Sequence, residues 1–278
     1  MELQQDNCIF QGKEKEKKMI LEEEFKLNLF SYKNNCKEVY EAGEGPAIIV
    51  MHEVPGLYPA VAEFGLRLVK EGFKVYLPSL CGEPGKDYSN QYIAQSFKEV
   101  CISKEFTIFA TRKSSPVTEW LRALARHAHE KSGKRPVGAV GMCLTGGFAL
   151  SMMLDDFLMA PVLSQPSLPV PYTPAQRNDL GIDDETLKKV KERVAGGCEV
   201  MGLRFSHDPL CPKQRFKRLK KELGNGFIEV EIDSSIGNPY GNRLAAHSVL
   251  VYDLKDTPGH PTQDALYKVI DFYKTKLL

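Results

Sequence analysis

The residues best suited to covalent chemistry lie in the segment VGAVGMCLTGG, residues 137–147. A short apolar run leads into Gly141 and Cys143, and a helix-forming sequence follows, so we predict a strand, a sharp turn and a helix. Such a turn lifts one side chain above the sheet, and small neighbours keep it from colliding. A helix N-terminus also favours a thiolate. We therefore predict that Cys143 is a nucleophile.

The alternative interpretation of this segment is a buried cysteine beside a glycine-rich helix start, as in a phosphate-binding loop. The segment lacks the Lys-Ser/Thr pair of such a loop and the GxGxxG spacing of a dinucleotide site. One departure from the usual nucleophile turn is Thr145, which stands where a glycine is expected. We expect the turn either to tolerate this β-branched residue or to shift its close packing to Gly146.

A nucleophilic cysteine needs a general base, and the base needs an acid that orients it. Folds with this type of turn place the three in the order nucleophile, acid, histidine. His247 follows the last predicted strand, where that order places the base, and is the preferred candidate. His260, beside Pro261 at a helix start, and His207 remain as alternatives.

The orienting acid is expected directly after the predicted strand at residues 200–205. There the sequence continues SHDPLCP, which places Asp208 at the carboxyl end of that strand. The other interpretation of Asp208 is a turn residue before Pro209. Asp253 and Asp256 are the alternative acids.

A second set of candidates lies in the loop MHEVPG, residues 51–56, after the first buried strand. This loop normally supplies one N–H of an oxyanion hole, here that of Val54, and the residue after the nucleophile supplies the other, here Leu144. Glu53 is expected near the thiol, where a carboxylate either raises the thiol pKa or takes its proton; the alternative is a solvated loop acid. His52 is expected to be structural.

The elements that must position these residues alternate between strand and helix from residue 48 onward. The predicted strands are residues 48–51, 73–77, 137–140, 160–163, 200–205 and 227–232, with an edge strand at 26–32. The predicted helices are residues 59–71, 116–130, 147–154, 184–194, 212–223 and 261–273. This alternation predicts an α/β fold with a mainly parallel central sheet and helices on both faces.

We divide the chain into a charged N-terminal arm with edge strands, residues 1–45, and one α/β domain, residues 46–278. Within the domain, a proline-rich insertion at about residues 165–199 is expected to cap the site. The KEKEKK run of the arm is interpreted as a solvated face rather than a docking patch.

The composition is that of a soluble globular protein. Hydrophobic residues make up 42% and charged residues 26%, the formal net charge is only +1, and neither nucleic acid nor membrane is an expected partner. We see no signal peptide and no apolar segment of about 18 residues. The seven cysteines form no CxxC pair, so we expect reduced thiols and a cytoplasmic location. Structural roles are expected for Cys8, Cys36, Cys81, Cys101, Cys198 and Cys211.

No cofactor and no metal are predicted. His127 and His129 stand two positions apart on a predicted helix and so point to different sides. The chain also lacks a Cys/His/Asp cluster at ligand spacing.

Together the motifs resemble the dienelactone hydrolase family, or carboxymethylenebutenolidases, of the α/β-hydrolase superfamily. The matching segments, within about residues 45–275, are HEVPGLYP with Glu53, FKVYLPSL, GMCLTGG with Cys143, FSHDPLCP with Asp208, and AAHSV with His247. The resemblance implies an α/β-hydrolase fold and a Cys143–His247–Asp208 triad that cleaves esters or lactones. It also implies that Glu53 holds the thiol and accepts its proton when substrate binds.

The resemblance departs from the family at the substrate carboxylate. Family members that act on dienelactone hold this group with arginines, and the expected positions carry Val251 and Glu83 here. The candidate replacements are Arg204, Arg215 and Arg243. We therefore expect an ester or lactone hydrolase, either a monomer or a small homo-oligomer, whose partner is a small-molecule substrate. An acyltransferase, a thioesterase and a non-catalytic binding protein of the same fold are the alternatives.

Overall fold

The computed structural model describes residues 20–102, 115–168 and 173–278. Its sheet has eight strands in these residues, in the order β1-β2-β4-β3-β5-β6-β7-β8. The strands are β1 Lys26–Tyr32, β2 Asn35–Ala42, β3 Ala47–Met51, β4 Lys74–Pro78, β5 Val137–Met142, β6 Leu158–Ser164, β7 Val200–Phe205 and β8 Phe227–Ile232. The pairs β1–β2 and β2–β4 are antiparallel, and the pairs from β4 onward are parallel.

Helices cover both faces of this sheet. They are α1 Pro59–Lys70, α2 Asn90–Ile102, α3 Pro116–Lys131, α4 Gly146–Met152, α5 Pro174–Asn178, α6 Asp184–Ala195, α7 Lys213–Leu223 and α8 Pro261–Leu277. One apolar cluster contains Trp120 of α3 and Phe216 of α7, and the other contains Phe64 of α1 and Tyr273 of α8. The predicted fold class is therefore confirmed.

The central strands are apolar along their whole length because both of their faces are covered. Every residue of β3, β5 and β7 is buried. Gly138 in β5 makes room for α8, since a Cβ at that position would lie 2.8 Å from the ring of Tyr273. These strands end at one edge of the sheet, where candidate residues from several loops meet.

Three elements, β2, α2 and α5, were not predicted from the sequence. The strand β2 carries charged residues at Lys37 and Glu38, which break its apolar pattern, and it forms by pairing with β1 and β4. It runs to Ala42, and the turn that follows passes through Gly43 and Gly45 at φ of 76° and 107°. The helix α2 lies in a segment that carries few sequence signals.

Some predictions fall outside the described residues. They concern residues 1–19 of the charged arm, with its KEKEKK run and Cys8, the side chain of Cys101, and residues 169–172 of the insertion. The rest of the insertion contains α5 and α6. No helix in the described ranges combines the length and the apolar composition needed to cross a membrane.

Candidate active site

The turn between β5 and α4 holds Cys143 in a left-handed conformation, with φ of 56°. The side chain is 8% exposed. Two glycines permit this turn. A Cβ on Gly141 would lie 2.2 Å from the carbonyl oxygen of Thr145, and a Cβ on Gly146 would lie 2.6 Å from Pro166. A strained position at the end of a buried strand is typical of a nucleophile turn.

Thr145 occupies the position where a glycine is usual, and its hydroxyl stabilises the turn. The Oγ1 atom accepts a hydrogen bond from the N–H of Met142 at 2.8 Å and donates to the carbonyl of Met51 at 2.9 Å. The residue thereby links the ends of β5 and β3. Both expectations for this turn describe part of the outcome, because Thr145 is tolerated and close packing also falls on Gly146.

His247 and Asp208 meet above the carboxyl end of β7. The Nδ1 atom of His247 lies 2.7 Å from Oδ2 of Asp208. The other carboxylate oxygen of Asp208 accepts the N–H groups of Leu210 and Cys211 at 2.9 and 3.2 Å. This turn therefore holds the carboxylate in one orientation against the imidazole.

The two alternative acids have different partners. Oδ2 of Asp253 accepts the backbone N–H groups of His247 and Ser248 at 2.9 and 3.1 Å. It therefore braces the histidine loop rather than the imidazole ring. Asp256 pairs with Arg67 at 2.8 Å near the surface.

The alternative histidines lie in other surroundings. His260 is the N-cap of α8, and its Nδ1 lies 2.6 Å from the hydroxyl of Thr262. His207 is exposed, and its Nδ1 lies 2.8 Å from the hydroxyl of Ser206.

The second ring nitrogen of His247, Nε2, is the one that remains for proton exchange with the thiol of Cys143. Nε2 is buried and has no hydrogen-bond partner among the described residues. Burial lowers the pKa of His247, but its interaction with Cys143 and its hydrogen bond to Asp208 outweigh that effect, so the pKa lies well above its usual value. The ring is thus arranged to hold a proton between a carboxylate and a sulfur.

Glu53 is a buried carboxylate, 3% exposed, and not a solvated loop acid. Its Oε1 accepts the hydroxyls of Tyr58 and Ser248 at 2.6 and 2.7 Å, and its Oε2 accepts the amide of Gln165 at 2.8 Å. Burial raises the pKa of Glu53. The positive charge of His247 and the three hydrogen-bond donors lower it, but they offset only part of the effect of burial. The carboxylate therefore lies in the same buried network as the histidine loop.

The hydrogen-bond partner of the thiol is a residue that the sequence did not indicate. Sγ of Cys143 lies 3.0 Å from Oγ of Ser167. The contact between Glu53 and the thiol that the resemblance implies is not among the hydrogen bonds of the described residues. The structure instead directs both oxygens of Glu53 to other donors.

Ser167 belongs to the segment Gln165-Pro166-Ser167, called here the QPS segment, which directly follows β6. The sequence pattern places these residues in the predicted capping insertion. Their position in the sequence is the signal that could have identified them. They follow a predicted strand that ends at the same edge of the sheet as the strands before Cys143 and Asp208. Polar residues at that edge are candidates for the same site.

His52 lies beside Glu53 but has two backbone partners. Its Nδ1 bonds the carbonyl of Glu53 at 2.8 Å, and its Nε2 accepts the N–H of Leu80 at 3.0 Å. Full burial lowers the pKa of His52 to about 4. The ring is therefore neutral near pH 7 and joins two loops, as expected for a structural residue.

The three candidate arginines have other partners. Arg204 and Arg215 are 1% and 2% exposed and bond backbone carbonyls, including Cys211 at 3.0 Å and Pro166 at 2.6 Å, respectively. Arg204 also pairs with a glutamate of β8. Arg243 is exposed and pairs with Asp253 at 2.6 Å. All three side chains are thus held by protein groups in this arrangement.

No group of three or more His, Cys, Asp or Glu side chains suited to a metal ion occurs in the described ranges.

The sequence of the chain matches the model of a known protein family. The model of the dienelactone hydrolase family matches residues 36–238, more than half of the chain. The chain belongs to the dienelactone hydrolase family. The matched region contains Glu53, Cys143 and Asp208, and His247 lies beyond it. No curated protein sequence matches the chain significantly.

Solved structures of similar fold span nearly the whole chain. A dienelactone hydrolase from Anabaena variabilis has a TM-score of 0.57 at 14% identity, covering 92% of this chain and 99% of its own. A cold-adapted esterase from an Arctic intertidal metagenomic library has a TM-score of 0.57 at 12% identity, with 91% and 94% covered. A dienelactone hydrolase-like promiscuous phosphotriesterase from metagenomic libraries has a TM-score of 0.55 at 13% identity, with 92% and 100% covered. These similarities show the α/β-hydrolase fold.

Proposed function

We propose that this member of the dienelactone hydrolase family hydrolyses carboxylic esters or lactones through a covalent intermediate on Cys143. The observation that supports this most directly is the environment of His247. One ring nitrogen bonds the Asp208 carboxylate at 2.7 Å, and the other is buried without a hydrogen-bond partner among the described residues. An oriented imidazole beside a thiol in a left-handed turn is the arrangement that nucleophilic catalysis requires.

In the proposed reaction, Nε2 of His247 takes the proton of the thiol, and the thiolate attacks the carbonyl carbon. The backbone N–H groups of Leu144 and Val54 stabilise the resulting oxyanion. The C–O bond to the leaving group then breaks, and His247 donates the proton to the departing alkoxide. Water attacks the thioester with His247 as base, the C–S bond breaks, and the acid and the free thiol are released.

Two carboxylates support this cycle in different ways. Asp208 keeps the imidazole in one tautomer and stabilises the imidazolium that forms. Glu53 is the fourth member of the proposed catalytic set: in its ionised form it favours the imidazolium, and its bond to Ser248 braces the residue after the histidine. Transfer of the thiol proton to Glu53, as the resemblance implies, would require the donors on that carboxylate to move.

The test is hydrolysis of dienelactone and of a neutral aryl ester by the wild type and by Cys143→Ala. Cys198→Ala is the matched control, since Cys198 is also buried but lies before β7 and bonds the carbonyl of Met159 in β6. We expect turnover that Cys143→Ala abolishes and Cys198→Ala retains.

The substrate that is turned over decides the finer assignment. Turnover of dienelactone supports the activity in the family's name, and turnover of the aryl ester alone keeps the mechanism and excludes dienelactone. Transfer of the acyl group to an added thiol or alcohol instead of water would make the protein an acyltransferase. If neither substrate shows Cys143-dependent turnover, the proposed function is wrong.

A further inference from the structure

The QPS segment is held rigidly against the nucleophile turn. The backbone N–H of Ser167 donates to the carbonyl of Cys143 at 2.9 Å, and that of Gln165 donates to Leu203 at 2.7 Å. The carbonyl of Pro166 accepts a hydrogen bond from the buried guanidinium of Arg215 at 2.6 Å. Because backbone bonds anchor both sides of the segment, its side chains have defined positions.

The hydroxyl of Ser167 points at the reacting atom of the proposed mechanism. Its oxygen lies 3.0 Å from Sγ of Cys143, within the range of a hydrogen bond to sulfur, and the residue is only 4% exposed. A hydroxyl can accept the proton of a thiol, but it can also donate to a thiolate. Donation to the charged form favours ionisation.

Gln165 keeps the neighbouring carboxylate away from this contact. Its amide Nε2 donates to Oε2 of Glu53 at 2.8 Å, and its Oε1 accepts the hydroxyl of Ser164 and the N–H of Val249 at 3.2 Å. Gln165 adopts a left-handed backbone conformation with φ of 38°. A non-glycine residue in this region carries strain, which these contacts offset.

We propose that Ser167 is a further catalytic residue, whose hydroxyl holds the sulfur of Cys143 and donates a hydrogen bond to its thiolate. This inference rests on the proposed nucleophilic role of Cys143. In the resting enzyme Ser167 takes the place beside the sulfur that the resemblance gives to Glu53. The thiol proton then passes to His247, while the carboxylate stays in its network.

The experiment measures the rate of alkylation by iodoacetamide across a pH series, with peptide mass mapping to follow Cys143 alone. The variants are Ser167→Ala and Ser167→Thr, which keeps a hydroxyl. The matched control is Ser151→Ala, a buried serine of α4 whose hydroxyl bonds the carbonyl of Gly147. Alkylation of the exposed Cys36 in the same samples is the internal standard.

We expect Ser167→Ala to move the midpoint of the Cys143 profile upward by about one pH unit, with alkylation about tenfold slower below the midpoint, because a hydrogen bond to a charged group is lost. Ser167→Thr should stay within about threefold of the wild type, and Ser151→Ala should match it. A wild-type profile for Ser167→Ala overturns the proposal, as does an equal shift in Ser151→Ala.

Alkylation needs no substrate, so this result is independent of ester hydrolysis. A shifted profile without any turnover would keep the Ser167 assignment and contradict the proposed function. Turnover that depends on Cys143, with an unshifted profile in Ser167→Ala, would do the reverse.

Discussion

Two histidines, the buried His52 and the half-buried His247, follow the ends of different strands, and their environments have opposite effects. His52, after β3, has a backbone partner at each ring nitrogen. His247, after β8, has the Asp208 carboxylate at one nitrogen and also interacts with Cys143. Burial disfavours the charged form of both rings, yet the pKa of His52 falls to about 4 and that of His247 rises. The partners, and not burial, decide which ring can act as a base.

The two aspartates near His247 also differ in what they contact. Asp208 contacts an imidazole, whereas Asp253 contacts the backbone of the same loop. The first arrangement controls a proton, and the second controls the shape of a loop. In each pair of residues, one member is proposed to act on a proton and the other to support a loop. Variants of the two members should therefore differ in activity.

The largest expected difference is between His247→Gln and His52→Gln. Loss of the general base should lower kcat on the aryl ester by about 10²- to 10⁴-fold. His52→Gln should lower it by less than about tenfold, since an amide can replace both backbone hydrogen bonds. Steady-state kinetics check this, with circular dichroism to confirm folding. Equal losses in two folded variants would remove the distinction between the histidines.

A smaller difference is expected between Asp208→Asn and Asp253→Asn. Asp208→Asn should lower kcat by at least about 10²-fold, because the amide no longer favours the imidazolium or the required tautomer. Asp253→Asn should cost about tenfold or less, since the loop keeps its other contacts. The measurement is again kcat on the aryl ester. A near-wild-type Asp208→Asn beside an inactive Asp253→Asn would identify Asp253 as the orienting acid.

The third prediction concerns stability against pH. Unfolded His52 takes a proton below about pH 6.5 and folded His52 only near pH 4, so the unfolded state binds more protons between these values. The free energy of unfolding should therefore fall by about 3 kcal/mol between pH 6.5 and 4 from this residue alone. Urea titrations of the wild type and His52→Gln measure it as the difference between the two curves.

His247 has the opposite dependence on pH, and this dependence lies above the range from pH 6.5 to 4. Its folded pKa is raised, so its stabilisation is complete below pH 6.5 and is lost as the pH rises through the folded pKa. If the wild type and His52→Gln lost stability in parallel between pH 6.5 and 4, His52 would not be the buried neutral ring described above.

The smallest effect is expected from Arg243→Ala. Arg243 pairs with Asp253 at 2.6 Å but is exposed, and such pairs contribute less than about 1 kcal/mol. Asp253 should still accept the N–H groups of His247 and Ser248, so kcat should change by less than about threefold. Thermal unfolding and aryl ester kinetics measure both quantities. A loss of tenfold or more would show that Arg243 itself positions the loop.

Local patterns predicted most of the fold. The buried strands are short apolar runs bounded by turns, so their positions were predicted to within a few residues, as for β5 and β7. Helices with clear starts were predicted equally well, and α3 begins at Pro116 with Ser115 as its N-cap. The strand β2 was missed because pairing on both sides, and not its own pattern, makes it a strand.

The site divides in the same way. Cys143, Asp208 and His247 were candidates because each stands at the end of a recognisable element, and chain order restricts where a base and an acid can lie. Their proposed roles stay predictions. The QPS segment was missed because its contacts join distant residues, as Gln165 and Glu53 are 112 positions apart. The spacing of residues along the chain does not predict such a contact.

The sequence by itself determined the fold class, the family resemblance and the short list of residues able to perform covalent chemistry. These depend on periodicity and on residue type, which are local properties. Only the tertiary structure decided which partner each candidate has: Asp208 for the ring of His247, Asp253 for its backbone, Ser167 for the thiol. Hydrogen bonds depend on distances of about 3 Å, and the packing of the whole sheet sets those distances.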